Sequence, residues 1–285
     1  MGNRIGSQRT GGRAQRLEKR AAKPVFDPCP PGQVGGQYRP LSENDVQAIY
    51  DTALKLLAEL GMGEVPTRLY DDLTAAGAQV LPNGRLGFPR TLVEDAIAAA
   101  AKKFVLHGRD DMRSIEVGGD RVHFGTGGAA VQTLDLETRL YRPSTLQDLH
   151  DFTRLQDTLE NVSWFTRCCV ATDVPDNFKL DVNTAFALIC NTTKPTATSF
   201  TLAEYVAPIV QMLDIAAGGE GAFSKRPFIK AHISPVISPM RYGEDAVDVV
   251  YECIAHNIPM SCITAAQSGA TAPVSYTHLT LPTTL

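Results

Sequence analysis

The chain has 285 residues, 44% of them hydrophobic and 20% charged. That composition buries a large core and excludes a disordered or fibrous protein, while the length suits one α/β domain with an appendage or two ordinary domains. The net charge of −4 argues against a general nucleic-acid binder, and no apolar stretch is long enough to cross a bilayer.

Charge is unevenly placed. Arg4, Arg9, Arg13, Arg16, Lys19, Arg20 and Lys23 face Glu18 alone, so the head carries +6 and the remainder −10. The head lacks the apolar core of a secretory signal and reads as a solvated basic arm. Cys29, Cys168, Cys169, Cys190, Cys253 and Cys262 show no CxxC spacing. They read as reduced thiols of a cytoplasmic protein, without a metal site.

Residues 24–40 are dense in Pro and Gly and predict an extended linker, so residues 1–37 are assigned as arm and linker. Ser42, with Asp45 three residues on, is a weak capping box. Val46, Ile49, Ala53, Leu56, Leu57 and Leu60 keep helical spacing until Gly61. A second helix is expected over 67–76, stopped at Gly77, and a Pro82-Asn83-Gly84 turn separates two short extended pieces. A third helix covers 91–101. Leu106, Ile115, Val117, Val122 and Phe124 then fall in short strands, so residues 38–120 form a region of helices and short strands.

From about residue 120 helices and strands alternate. Helices are expected over 146–159, 178–190, 202–216 and 243–256, and each leads to a strand: VSWFTRCCV, KPTATSF, RPFIKAHIS and IPMSCITAA. Short strands that are almost continuously apolar or small are buried on both faces, as in a parallel sheet wrapped by helices. The repeat means a doubly wound sheet or a (β/α) barrel. With at most five strand candidates against the eight of a closed barrel, the expected fold class is α/β: an incomplete (β/α)8 TIM barrel over 121–273. VSYTHLTLPTTL at 274–285 lacks helical periodicity and reads as a non-native tail, like translated sequencing-adapter sequence.

HFGTGGAAV at 123–131 is the most glycine-rich stretch, yet it has neither a GxGxxG register nor a P-loop Lys. Its glycines mark a tight turn or a close backbone approach to a ligand. In a barrel, chemistry sits where strands end. Those places carry His123 and Thr126, Thr166 and Arg167, Ser199 and Thr201, His232, Ser234 and Pro235, then Thr264, Gln267 and Ser268. There is no paired carboxylate, HExxH or GxSxG. His232 is a weak catalytic candidate, set against a supporting hydrogen-bond role. His256 reads as a helix cap, and Arg109 with Asp110 as a structural pair. Lys230 is the lysine that a Schiff-base lyase or aldolase would use.

RTGGRAQRLEKR, YRPLSENDVQAIYDTALKLLAELGM, HGRDD, VHFGTGGAAVQTLDLETRLYRPSTLQDLHDFTRL, NTTKP, AHISPVISP and QSGATAPV together resemble the trimethylamine methyltransferase family. These are the corrinoid-dependent methylamine and quaternary-amine methyltransferases. The resemblance implies a (β/α)8 barrel longer than this chain, with these residues similar to its N-terminal half or slightly more. It implies methyl transfer from trimethylamine, or a quaternary amine such as glycine betaine, to the Co(I) corrinoid of a partner protein. Cobalamin would travel on that corrinoid protein, with no cofactor held tightly here, no nucleic-acid or membrane partner, and room for a homo-oligomer.

Trimethylamine enzymes of the family use pyrrolysine, which would fall beyond the chain end, leaving the catalytic residues unassigned apart from His232. Aromatic faces suit a quaternary ammonium, which nominates Phe124, Trp164, Phe165 and Phe200 against ordinary core packing. The substrate-binding set is Phe124, Thr126, Gly127, Phe200, Ser234 and Gln267. Two other readings stand beside it. One is a non-catalytic quaternary-amine-binding protein on the same scaffold. The other is an inactive fragment, because an unclosed barrel exposes strand edges.

Overall fold

The computed structural model describes residues 30–264; the basic arm, Cys29, Gln267, Ser268 and the 274–285 tail lie outside them. The Ser42 hydroxyl accepts from the Asp45 N–H while the Asp45 carboxylate accepts from the Ser42 N–H, so the capping box is complete and starts α1 (Glu43–Lys55). The helical path continues through a π turn, Leu56–Leu60, to Gly61. α2 (Thr67–Ala75) and α3 (Arg90–Ala99) follow, separated by the antiparallel Gln79–Val80 and Leu86–Gly87 pair. Lys103–Leu106 pairs with Ile115–Gly118. Gln33–Val34, inside the stretch expected to be linker, pairs with Arg121–Val122.

Arg109 and Asp110 do not pair. Arg109 donates to the Thr192 carbonyl at 3.2 Å, and the Asp110 carboxylate accepts from the Met112 N–H at 3.0 Å, capping the 3-10 turn Asp111–Arg113. A short carboxylate finds a backbone N–H two residues on before it finds a neighbouring side chain.

The remaining elements are α4 (Leu146–Asp157), β1 (Phe165–Thr166), α5 (Asn177–Asn191), β2 (Thr196–Thr198), α6 (Val206–Ala217), α7 (Ala222–Lys225), β3 (Ile229–Ile233), α8 (Glu244–Ala255) and β4 (Met260–Cys262). α6 starts at Val206, after a 3-10 turn at Ala203–Tyr205. Pro208 then falls in the first turn of α6, where its missing N–H needs no partner.

The four strands form one parallel sheet in chain order, β1-β2-β3-β4. Neighbouring helices touch, α4 with α5, α5 with α6, and α6 with both α7 and α8, and the core they share with the strands lies on one face of the sheet. Residues 124–130 run parallel beyond β1, bridging Gly125 to Trp164 and Ala130 to Cys169. Between those bridges the Thr126 hydroxyl stands in for a strand, accepting from the Thr166 N–H at 3.0 Å and donating to the Thr166 carbonyl at 2.8 Å. This irregular neighbour is why the strand expected over 162–170 is regular only at Phe165–Thr166.

The main core lies on the helix side, where Ile229, Ala231 and Ile233 of β3 meet Ile209 and Leu213 of α6, Phe223 of α7 and Val249 of α8. A second cluster joins Leu149, Phe165, Ala187 and Leu188.

Candidate functional site

Residues paired across a parallel ladder share a face, and successive residues alternate. Phe165 pairs with Thr196 and Thr166 with Ala197; Ala197 pairs with Lys230, and His232 with Ser261. Phe165 and Ile229 belong to the helix-side clusters. Trp164, Thr166, Ala197, Lys230, His232 and Ser261 therefore occupy the face that the helices leave open.

Ala197, on the strand between Trp164 and Lys230, offers only a methyl group on this face. The Lys230 side chain crosses β2 over it and places its ammonium 4.6 Å from the centre of the Trp164 ring, within cation–π range. The same ammonium donates to Ser261 Oγ at 2.6 Å. Trp164 is held by its indole N–H, which donates to the His123 carbonyl at 3.3 Å. Its ring also lies against Gly125, where a Cβ would stand 2.1 Å from Trp164 Cε2. Only glycine permits that contact. A Cβ on Gly128 would likewise stand 2.4 Å from the Arg167 carbonyl oxygen. Gly125 thus makes room for the indole, and Gly128 for the approach of one backbone segment to another.

The face is electropositive and partly dry. Burial alone pulls the Lys230 amine below its usual range. Burial, then the charges of Lys230 and Arg167, hold the His232 imidazole below its usual range. Burial also lowers Arg167, against the opposing influence of Asp181. Asp181 is raised by burial and eased back by the Thr201 N–H and hydroxyl, at 2.6 and 3.0 Å. Thr166 Oγ1 and His232 Nδ1 are buried without a hydrogen-bond partner.

The candidates named from sequence scatter. His232 lies on this face. Thr126 serves the backbone of β1, while Gly127 is exposed with open space around it. Phe124 is 46% exposed, and Phe200, at 7%, packs into the helix-side core with Ile209 and Phe223. Ser234 is half-buried just past β3, and Gln267 is outside the described residues. His256 occupies the C-cap of α8. Ser261 went unnoticed; its pairing with His232 was the signal, and that needs the register. Among the described residues no group of three or more His, Cys, Asp or Glu could hold a metal ion, and no helix is long and apolar enough to cross a membrane. What the face offers chemically is an indole already receiving a cation, beside the buried Thr166, Ala197 and Lys230.

The family model described as Trimethylamine methyltransferase (MTTB) matches residues 9–281. Trimethylamine methyltransferase MttB of Desulfitobacterium hafniense is 28% identical over 235 residues, 82% of this chain and 47% of its own length. Glycine betaine methyltransferase of the same species, strain Y51, is 24% identical over 245 residues, 86% of this chain and 50% of that protein. Trimethylamine methyltransferase MttB1 of Methanosarcina mazei is 24% identical over 245 residues, 84% and 49% respectively. The chain spans about half the length of the curated relatives it matches. With nearly all of its own length matched by the family model, the chain belongs to the trimethylamine methyltransferase family.

Proposed function

We propose that the chain forms the amine-binding part of a cytoplasmic methyltransferase, and that its parallel sheet is one side of a (β/α)8 barrel. The chain-order sheet, with successive helices on one face, supports the barrel, because a doubly wound sheet places helices on both faces. The observation that carries the function is the ammonium on the Trp164 ring at 4.6 Å, on the face that would line the barrel. A ring that holds a lysine ammonium presents the surface that a methylated ammonium requires.

The methyl acceptor in this reading is the Co(I) corrinoid of a separate protein, which is a co-substrate. Its electron pair forms the new bond to the methyl carbon as the C–N bond breaks, and that bonding pair stays on nitrogen. A quaternary ammonium thereby leaves as a neutral amine and needs no acid. Such a displacement depends on in-line positioning of the two reactants. The residues of this chain contribute the position: Trp164 takes the ammonium, and Gly125 and the His123 carbonyl fix the indole.

Calorimetry tests the binding step. The chain is titrated with trimethylamine, glycine betaine and tetramethylammonium, and then the Trp164→Leu variant is titrated with whichever binds. Loss of the indole face is expected to weaken binding about tenfold or more, the weight of a desolvated cation–π contact. An unchanged affinity in the variant overturns the reading. Methyl transfer to cob(I)alamin, read from a protein carried to the full length of the relatives, separates an enzyme from a binding protein.

A further inference from the structure

We infer that Lys230 is a carboxylate anchor, so that the site is built for a methylated ammonium carrying its own carboxylate, a betaine-type zwitterion, in preference to a bare methylated amine. The inference rests on the amine-binding reading of this face and adds a second recognition element to it.

Lys230 is 9% exposed. A buried ammonium is costly unless an anion or a full set of acceptors compensates it. Its contacts are the Ser261 hydroxyl at 2.6 Å and the Trp164 ring, and neither carries a negative charge. One of its three N–H donors is used by Ser261, leaving two. Among the described residues no carboxylate pairs with it. Asp181, the acid of this end of the sheet, accepts from Thr201 and acts electrostatically on Arg167.

The wall around this uncompensated charge is also short of partners. Thr166 is 3% exposed and its hydroxyl has none. It stands on the same face as Lys230, one strand beyond Ala197. A hydroxyl donor, two spare ammonium donors and a surplus of positive charge describe the receptor of a carboxylate.

The cation–π contact then sets the specificity. A bare methylated ammonium approaching Trp164 meets the Lys230 ammonium on the ring it needs, and two like charges compete for one face. A zwitterion resolves the conflict. Its carboxylate draws Lys230 away from the indole, and its quaternary nitrogen takes the vacated ring. Discrimination comes from repulsion of the wrong ligand as much as from attraction of the right one.

Three probes test this by calorimetry on the chain: glycine betaine, tetramethylammonium, and 3,3-dimethylbutanoate, the carbon isostere of the betaine. The wild-type chain is expected to bind glycine betaine at least tenfold more tightly than tetramethylammonium. Lys230→Met is expected to bring that ratio below about twofold, with tetramethylammonium bound more tightly than by wild type because the ring is uncovered. Lys230→Arg, which keeps the charge, is expected to retain the preference. Equal wild-type affinities for glycine betaine and tetramethylammonium overturn the anchor and leave the amine-binding reading standing, a result that needs no variant to fold. A preference that survives in Lys230→Met also overturns it. Binding of 3,3-dimethylbutanoate without either methylated ammonium removes the amine-binding reading and upholds the anchor, and binding of none of the three removes both.

Discussion

Asp148, in the first turn of α4, offers the most quantitative check on how the site is held. Its carboxylate accepts from Arg142 Nη1 and Nη2 at 2.6 and 2.8 Å, and from the Thr145 N–H and hydroxyl, both at 2.8 Å. The bidentate pair fastens α4 to the Gln132–Leu134 and Tyr141–Pro143 hairpin, which continues the segment lying against Trp164. The Arg142 guanidinium is the main cause that brings the Asp148 carboxyl from 3.8 down to about 2. A fall of nearly two units is about 2.5 kcal/mol, and screening at Arg142, whose side chain is 41% exposed, reduces this to about 2 kcal/mol. Because the folded value lies below the unfolded one, the contribution is complete above the unfolded value and is lost as pH falls from there through about 2. Urea unfolding of wild type and Asp148→Asn is expected to differ by about 2 kcal/mol at pH 7, and by about half of that at pH 3. A gap of the same size at both pH values would show that charge is not the source, and a gap under about 0.5 kcal/mol at pH 7 would place the pair with ordinary surface ion pairs.

Gly125→Ala puts a methyl carbon 2.1 Å from Trp164 Cε2 and is expected to destabilise by about 2 kcal/mol or more. Trp164 is the one tryptophan of the chain, so its emission reports the displacement directly; unchanged emission and stability contradict the packing. Arg85 donates to the carbonyls of Gly61, Pro239 and Met240, the last at 2.6 Å, tying the front region to the loop after β3. Arg85→Ala should cost about 2 kcal/mol in urea unfolding, and no loss would show those carbonyls to be satisfied by water. Burial pushes the Cys253 thiol up to about 12, whereas Cys190 and Cys262 are exposed. A thiol reagent at pH 8 is therefore expected to label Cys190 and Cys262 and spare Cys253 in peptide mapping; rapid labelling of Cys253 would show the α8 core to be open.

Local signals carried much of the architecture. Ser42 with Asp45 and Thr145 with Asp148 are capping boxes whose partners lie three residues apart, so the starts of α1 and α4 depend on nothing distant. The alternation of helix and strand after residue 120 likewise reflects burial on both faces, which short apolar runs record directly. Signals that depend on remote partners failed. The 162–170 run looks uniform, yet its ladder is regular at Phe165–Thr166 alone, because the segment beside it is the glycine-rich 124–130 stretch and a threonine hydroxyl replaces a backbone partner there. Gln33–Val34 became a strand for the same kind of reason: its partner, Arg121–Val122, is far along the chain.

The site shows the same division more sharply. Alternation along IKAHI separates Lys230 and His232 from the apolar residues between them, so their shared face follows from sequence alone. Which residues stand opposite does not. Trp164, Phe165 and Phe200 are equal candidates for an aromatic wall until β1 is set in register against β2. Then Phe165 turns to the helices with Leu149 and Leu188, Phe200 enters the core beside Ile209, and Trp164 alone remains on the open side. The decisive contact also needs a residue with no chemistry of its own. A larger side chain at Ala197 would stand between Lys230 and the indole, and the 4.6 Å approach exists because this position, on the strand between them, ends at Cβ. In the proposed reading the amine site depends on a small residue in a particular register, and no motif of reactive groups announces it.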